Sequence, residues 1–223
     1  MSRFDECRKD RKTRNHEFRT PRANSYLIVT EGESTEPYYF NGLRSLILEK
    51  VGGNVEVINI PLINIKGTGR STNRLIEEVE KIVNKSRVIY QNIWVVFDKD
   101  EFADFDDAIE LGKKNGYNVA WSNQSFEYWL FLHFHYSDVA LHRDKWIGKL
   151  NELFKKLNLN GGVYSKTCPD IFNIVDRNNG ANNAIKNAKR RMTGYNSDTD
   201  KPSEFDPGTT VYKLVEELKS YIE

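Results

Sequence analysis

Apolar positions along the chain alternate between short unbroken runs and runs spaced three or four apart. The run SYLIVT, residues 25–30, is β-branched and predicts a strand. It ends in EGESTEP, where Ser34 or Thr35 suits a helix cap and Pro37 its first turn. Tyr39, Phe40, Leu43, Leu46 and Ile47 then recur at helical spacing. Residues 55–65, VEVINIPLINI, predict a strand broken at Pro61, and KGTGRSTN reads as the loop after it. A second helix is predicted from Ser71 or Thr72, with Leu75, Ile76, Val79, Ile82 and Val83 on one face.

The same alternation continues. IWVVF, residues 93–97, predicts a buried strand, and DFDDAIELGKKNG a helix closed by Gly116. YNVAWS, residues 117–122, predicts another strand. SFEYWLFLHF, residues 125–134, is apolar all round, and its length and setting favour a buried helix. The order is β-α-β-α-β-α-β-α. It predicts an α/β fold: a mostly parallel sheet with helices on both faces. Beyond Tyr136 the pattern is chiefly helical, with stripes at Trp146, Leu150, Leu153, Phe154 and Leu157, at Ala181, Ala184, Ile185, Ala188 and Met192, and at Val211, Leu214, Val215, Leu218 and Ile222. Thr209 or Thr210 suits the cap of the last helix. The expected organisation is an arm over residues 1–24, a core over 25–135, and a helical part over 136–223 packed on that core as one structural domain.

Composition narrows the class. The chain has 223 residues, 39% of them apolar and 29% charged, which fits a globular protein with a real core. Cys7 and Cys168 form neither a metal spacing nor a disulfide framework. No apolar run approaches a membrane span, and the N-terminus lacks the apolar region of a signal peptide. The expected compartment is the reducing cytoplasm. The formal charge of +1 hides two basic regions. Residues 1–24 carry eight Lys/Arg against four acids and few apolar residues, which predicts a flexible arm. Residues 177–196 carry Arg177, Lys186, Lys189, Arg190 and Arg191 without an acid.

Two predicted strands end in carboxylates. SYLIVT delivers Glu31 and then Gly32; IWVVF delivers Asp98 and then Asp100. In an open parallel sheet, ligands sit beyond the carboxyl ends of the strands. Asp98 and Asp100 point the same way in extended geometry. If the two strands are neighbours, three mutually repelling carboxylates meet at one rim. A divalent cation relieves that repulsion, and oxygen-only ligation suits Mg²⁺ or Mn²⁺. Gly32 permits a tight turn and close approach of a phosphate backbone. A lone Asp-x-Asp after a strand is a weak signal, since Asp also serves turns and helix caps there. The strand-Glu-Gly element makes the combination stronger.

Strand-Glu-Gly followed by strand-Asp-x-Asp resembles the signature of the Toprim fold, shared by topoisomerases, primases, OLD-family nucleases and small bacterial defence proteins. YLIVTEGESTEPYYFNGLR, VVFDKDE, SNQSFEYWLFLHF and PGTTVYKLVEEL more closely resemble the RloB family, also called AbiLii-like, from about residue 22 onward. The resemblance implies an Mg²⁺-dependent nuclease acting on DNA or a structured RNA such as tRNA. It would be the effector of a bacterial antiviral, abortive-infection or restriction-associated system, with a co-encoded ATPase as partner. By the same resemblance Glu31 would be the acid/base residue and also contact metal, and Asp98 and Asp100 would hold the ion. Within that motif Glu33 is a candidate further ligand, and Glu36 favours the helix N-terminus. Two other classes stand beside this one. One is a non-catalytic adaptor that binds nucleic acid or the ATPase; the other is a nucleotidyl-transfer enzyme, which the short chain and the lack of a zinc-ribbon pattern disfavour.

Other candidates come from the residues themselves. KGTGRSTN is Gly-rich and basic ahead of a helix, which makes Lys66 and Arg70 candidate phosphate contacts, although a plain turn reads as well. It lacks the Gly-Lys-Ser/Thr end of a Walker loop. Glu127 lies among Phe126, Tyr128 and Trp129, where a carboxylate is costly unless paired or bound. It is a candidate catalytic residue, against the plainer reading of a half-exposed Glu at a helix start. His133 reads as a hydrogen-bonded core histidine. Lys166 resembles a basic position of family members and, with Lys186 and Arg190, is a candidate nucleic-acid contact.

Overall fold

The computed structural model describes residues 20–21, 24–52, 62–69, 72–99 and 103–223. Its centre is a four-stranded sheet made of β2 (Ser25–Thr30), β3 (Leu62–Gly67), β5 (Asn92–Asp98) and β6 (Asn118–Ser122), in the order β3-β2-β5-β6. Every pairing is parallel. The helices between are α1 (Thr35–Gly52), α2 (Thr72–Lys85) and α3 (Phe105–Lys114). After β6 come α4 (Phe126–Leu132), α5 (Arg143–Lys156), α6 (Ile171–Val175), α7 (Gly180–Met192) and α8 (Val211–Lys219). Among the described residues no helix is long and apolar enough to cross a membrane.

The two-residue period of the strands divides the core in two. Tyr26, Ile28, Trp94, Val96 and Ala120 pack with α1 and with the helices that follow β6. Leu27, Val29, Val95, Phe97 and Trp121 pack with α2 and α3 on the other face. All six residues of β2 are buried, as expected of a strand covered on both sides. The first face is the larger and more aromatic one, with Phe126, Tyr128, Trp129 and Trp146 excluded from water. Each such side chain contributes about 1.5–3 kcal/mol on burial.

Three details differ from the sequence pattern. Lys66 and Gly67 belong to β3 and not to the loop after it, because Val29↔Lys66 and Thr30↔Gly67 extend the ladder with β2. Gly67 fits there because its Cα lies against the Gly32 carbonyl: an added Cβ would meet that oxygen at 2.7 Å. A second ladder, two residues long, pairs β1 (Thr20–Pro21) with β4 (Val88–Ile89), so the end of the predicted arm runs alongside another segment of chain. Residues 1–19 and the first half of the predicted 55–65 strand lie outside the described residues. Two of the expected caps are also spent differently, although Thr209 Oγ1 does accept from the Val211 amide at the start of α8, at 3.3 Å. The Thr35 hydroxyl donates to the Lys166 carbonyl at 3.0 Å, and Thr210 Oγ1 accepts from the Trp121 amide at 2.9 Å, which lashes α8 to β6.

The chain runs from β2 to β3 on one side, then crosses to β5 on the other. The direction of winding therefore reverses at β2, and the crevice between β2 and β5 is the switch point at which open parallel sheets take ligands.

Candidate active site

Glu31 and Asp98 stand at that crevice. Glu31 is the first residue after β2, and its backbone is fixed from both sides. Its amide donates to the Val96 carbonyl at 2.9 Å, and its carbonyl accepts from Gly69 at 2.9 Å. Its side chain turns to the neighbouring strand end, where Oε2 accepts from the Asp98 amide at 3.2 Å. Asp98 closes β5 beside Ser122 of β6, and its Oδ2 accepts from the Phe126 amide at 2.8 Å, at the start of α4. Two segments far apart in sequence thus bring their acidic ends into one hydrogen-bonded chain, as the adjacent-strand expectation required.

These acids line a cavity of about 310 Å³ with Glu33, Glu36, Glu127, Arg143 and Lys166. The carboxylates outnumber the cations, and burial makes the excess costly. Burial pushes the Glu31 carboxyl up to about 7; the Asp98 amide pulls it down, Glu36 pushes it up again, and Arg143 pulls it down. Burial likewise holds Asp98 well above the usual carboxylate range, and Glu36, Glu127 and Glu31 add to the effect. Glu36 is raised by burial and by Glu127, against the pull of its own amide and of Lys166.

Gly32 has a role the sequence did not suggest. A methyl group at position 32 would overlap the Glu36 carboxylate, so the glycine leaves room for that side chain to fold back over the motif. Glu36 is 9% exposed and does more than favour the first turn of α1: it is part of the cavity wall.

Glu127 is 3% exposed and is paired. Its Oε1 accepts from the Tyr164 hydroxyl at 2.9 Å and meets Lys166 Nζ at 3.1 Å. Lys166 is held in place through its carbonyl by Thr35 and keeps half of its side chain exposed. The expected condition for a carboxylate among aromatics is therefore met by pairing, and the pair sits at the cavity. Tyr164, Arg143 and the depth of Glu36 were missed. Tyr164 and Arg143 lie in stretches with no motif, and their approach to the site depends on how the helices after β6 fold back.

The remaining candidates are scattered, except Glu33, which lines the cavity. Glu33 is exposed, and its Oε1 lies 2.7 Å from where a Cβ on Gly69 would sit. Gly69 has φ +60°, which glycine adopts freely. Lys66 is exposed on the edge strand β3. Lys186 lines a separate groove with Lys189, Lys219 and Glu216, and the Arg190 guanidinium stacks 3.9 Å over the Tyr136 ring. Neither lines the acidic cavity. Asp100 and Arg70 lie outside the described residues. His133 is the expected core histidine, 2% exposed and hydrogen-bonded to the Tyr39 hydroxyl and the Trp129 carbonyl.

Among the described residues, no three Asp, Glu, His or Cys side chains are grouped as a metal site. The donor chemistry nonetheless fits a hard divalent ion. The cavity offers carboxylate oxygens, and the two acids at the switch point have their ionised forms disfavoured by burial, with the charge of Glu36 adding to each.

Neither the curated proteins nor the solved structures yield a match. A family model described as RloB-like protein matches residues 26–218, which takes in the four-stranded sheet bar Ser25, the cavity and the eight described α-helices bar Lys219. The chain belongs to the RloB-like family.

Proposed function

We propose that the protein is a metal-dependent nuclease that hydrolyses phosphodiester bonds in DNA or in a structured RNA such as tRNA. The observation that carries this reading is the half-buried Glu31–Asp98 contact at the sheet's switch point, inside an acidic cavity. Glu31 and Asp98 would hold Mg²⁺ or Mn²⁺, with Asp100 and Glu33 as further candidate ligands. When bound, the ion supplies polarisation of the scissile phosphate and stabilisation of the leaving oxygen.

The side chains have separate tasks. Glu31, pushed up to about 7, can both accept and return a proton near neutral pH, as a general acid/base requires. The Phe126 amide fixes the direction of the Asp98 carboxylate. Lys166 and Arg143 supply positive charge at the cavity wall for substrate phosphate oxygens. Family resemblance further supports a cytoplasmic effector of bacterial antiviral or restriction-associated defence, working with a co-encoded ATPase.

The test is cutting of DNA and of tRNA by the purified protein, alone and with its neighbouring ATPase, in Mg²⁺ or Mn²⁺. Asp98→Ala and Glu31→Ala should each abolish cutting and leave the circular dichroism of the fold intact. Unchanged cutting by both variants would remove the nuclease reading. A second reading, a non-catalytic adaptor, draws on the pairing of Glu127 with Tyr164 and Lys166, which satisfies a cavity carboxylate without an ion. It predicts that metal-site variants retain full defence in cells.

A further inference from the structure

Lys99 directly follows Asp98, yet it does not line the cavity. Strand alternation sends the two side chains to opposite faces. The Lys99 amide continues the ladder by donating to the Ser122 carbonyl at 2.9 Å, and its Nζ donates to the Ser203 carbonyl at 2.6 Å.

That carbonyl belongs to a heavily bonded segment. Asn123, fully buried, gives its side-chain amide to the Pro202 and Ser203 carbonyls at 3.0 and 3.1 Å. Its Oδ1 has no hydrogen-bond partner, so Asn123 leaves an acceptor unsatisfied to make those two contacts. Ser203 donates through its amide and its hydroxyl to the Asp106 carboxylate at 2.9 and 2.5 Å. Downstream, Gly208 accepts from the Asn123 amide at 2.7 Å. Residues 202–208 are thus tied to the carboxyl ends of β5 and β6 and to the start of α3. One of these ties is a charged hydrogen bond from the residue next to Asp98.

We propose that Lys99 is a positioning residue for the acidic site. Its bond to the Ser203 carbonyl, braced by Asn123 and Asp106, fixes the direction in which the chain leaves β5 after Asp98 and keeps an ammonium group out of a cavity that needs negative charge. The inference rests on the reading of that cavity as a divalent-cation site. Loss of a group that orients a ligand typically weakens metal binding by about 10- to 100-fold.

The experiment is a titration of the full-length protein with Mn²⁺, followed by calorimetry or by the electron paramagnetic resonance of free Mn²⁺, with thermal melts alongside. Lys99→Met is expected to weaken Mn²⁺ binding by about 10-fold. Lys99→Arg, which keeps a charged donor, is expected to stay near wild type. Asp106→Ala loosens Ser203 from the other side, so it should also weaken binding, and less than additively when combined with Lys99→Met. Mn²⁺ affinity that is unchanged or stronger in Lys99→Met overturns the positioning role, as does a Lys99→Arg variant as weak as Lys99→Met. A lower melting temperature with unchanged affinity makes Lys99 merely structural. A wild-type protein that binds no Mn²⁺ removes the cation-site reading itself, and the positioning role with it.

Discussion

His133 is fully buried and Asp98 half-buried, and they keep different company. The Trp129 carbonyl can only accept, so His133 Nδ1 carries the proton and donates at 3.0 Å, while Nε2 accepts from the Tyr39 hydroxyl at 3.0 Å. Aromatic rings of Tyr39 and Trp129 pack edge-on around it. Every polar atom of the imidazole is thereby served in its neutral form, and burial lowers its pKa to about 3. Asp98 receives the Phe126 amide, but its charged neighbours include Glu36, Glu127 and Glu31. One polar group stabilises a unique core; the other stores repulsion. Stored repulsion in a cavity is where a ligand can gain binding energy.

The comparison is broken most sharply by removing charge from the acid side. Glu31→Gln keeps an acceptor for the Asp98 amide and deletes the carboxylate. Cutting should fall by about 100- to 10,000-fold, the usual worth of a general acid/base. The metal-free fold should become more stable at neutral pH, with the melting temperature rising by about 2–4 °C for each kcal/mol of relieved repulsion. Activity and stability would then move in opposite directions. A melt that falls in EDTA would show that Glu31 is held by favourable contacts instead.

The matching cut on the other side is His133→Ala. It empties a ring-sized volume and leaves the Tyr39 hydroxyl and Trp129 carbonyl without their partner. Unfolding free energy should drop by about 3 kcal/mol in denaturant titrations. Mn²⁺ affinity should stay unchanged in the protein that remains folded, because the imidazole does not line the acidic cavity.

pH separates the two regions by sign. His133 titrates near 3 in the fold and near 6.5 in the unfolded chain, so the unfolded chain binds more protons between those values. Its contribution is present above 6.5 and is lost as pH falls toward 3. Glu31 is raised from 4.5 to about 7, so the folded protein binds more protons across that window. Its contribution is present below 4.5 and is lost as pH rises through 7. Stability of Glu31→Gln relative to wild type should therefore increase from pH 4.5 to 7.5, by up to about 3 kcal/mol in metal-free buffer. A flat difference across that range would mean that Glu31 is not desolvated in solution.

Much of this architecture was legible from spacing. Runs such as YLIV and IWVVF are apolar throughout because both faces of the sheet are covered, and the acids that follow these strands are abrupt enough to mark the rim. Legibility failed where a residue's role depends on a distant partner. KG extends β3 because β2 offers it a ladder, and Gly32 makes room for a side chain four residues on. Thr35 and Thr210 look like caps in sequence, but each gives its hydroxyl to a tertiary contact. From the helical part, Arg143 reaches the cavity and Tyr164 reaches its wall residue Glu127, and periodicity there reports which face is apolar and not where a polar side chain ends up.

Lys166 gives the smallest expected effect and the finest test, because it lies between the two regimes. Its partner Glu127 is buried and also bonded to Tyr164, while half of the lysine side chain faces water. Solvent screens such a pair, so Lys166→Met should cost only about 1 kcal/mol of stability. The same substitution removes one of the cations lining the acidic cavity, and the two ligands should respond oppositely. Mn²⁺ should bind somewhat more tightly as the cavity becomes more negative, and nucleic acid more weakly as a phosphate contact is lost. Parallel loss of both affinities would mean that Lys166 acts by holding Glu127 in place, which moves it from the substrate side of the site to its scaffold.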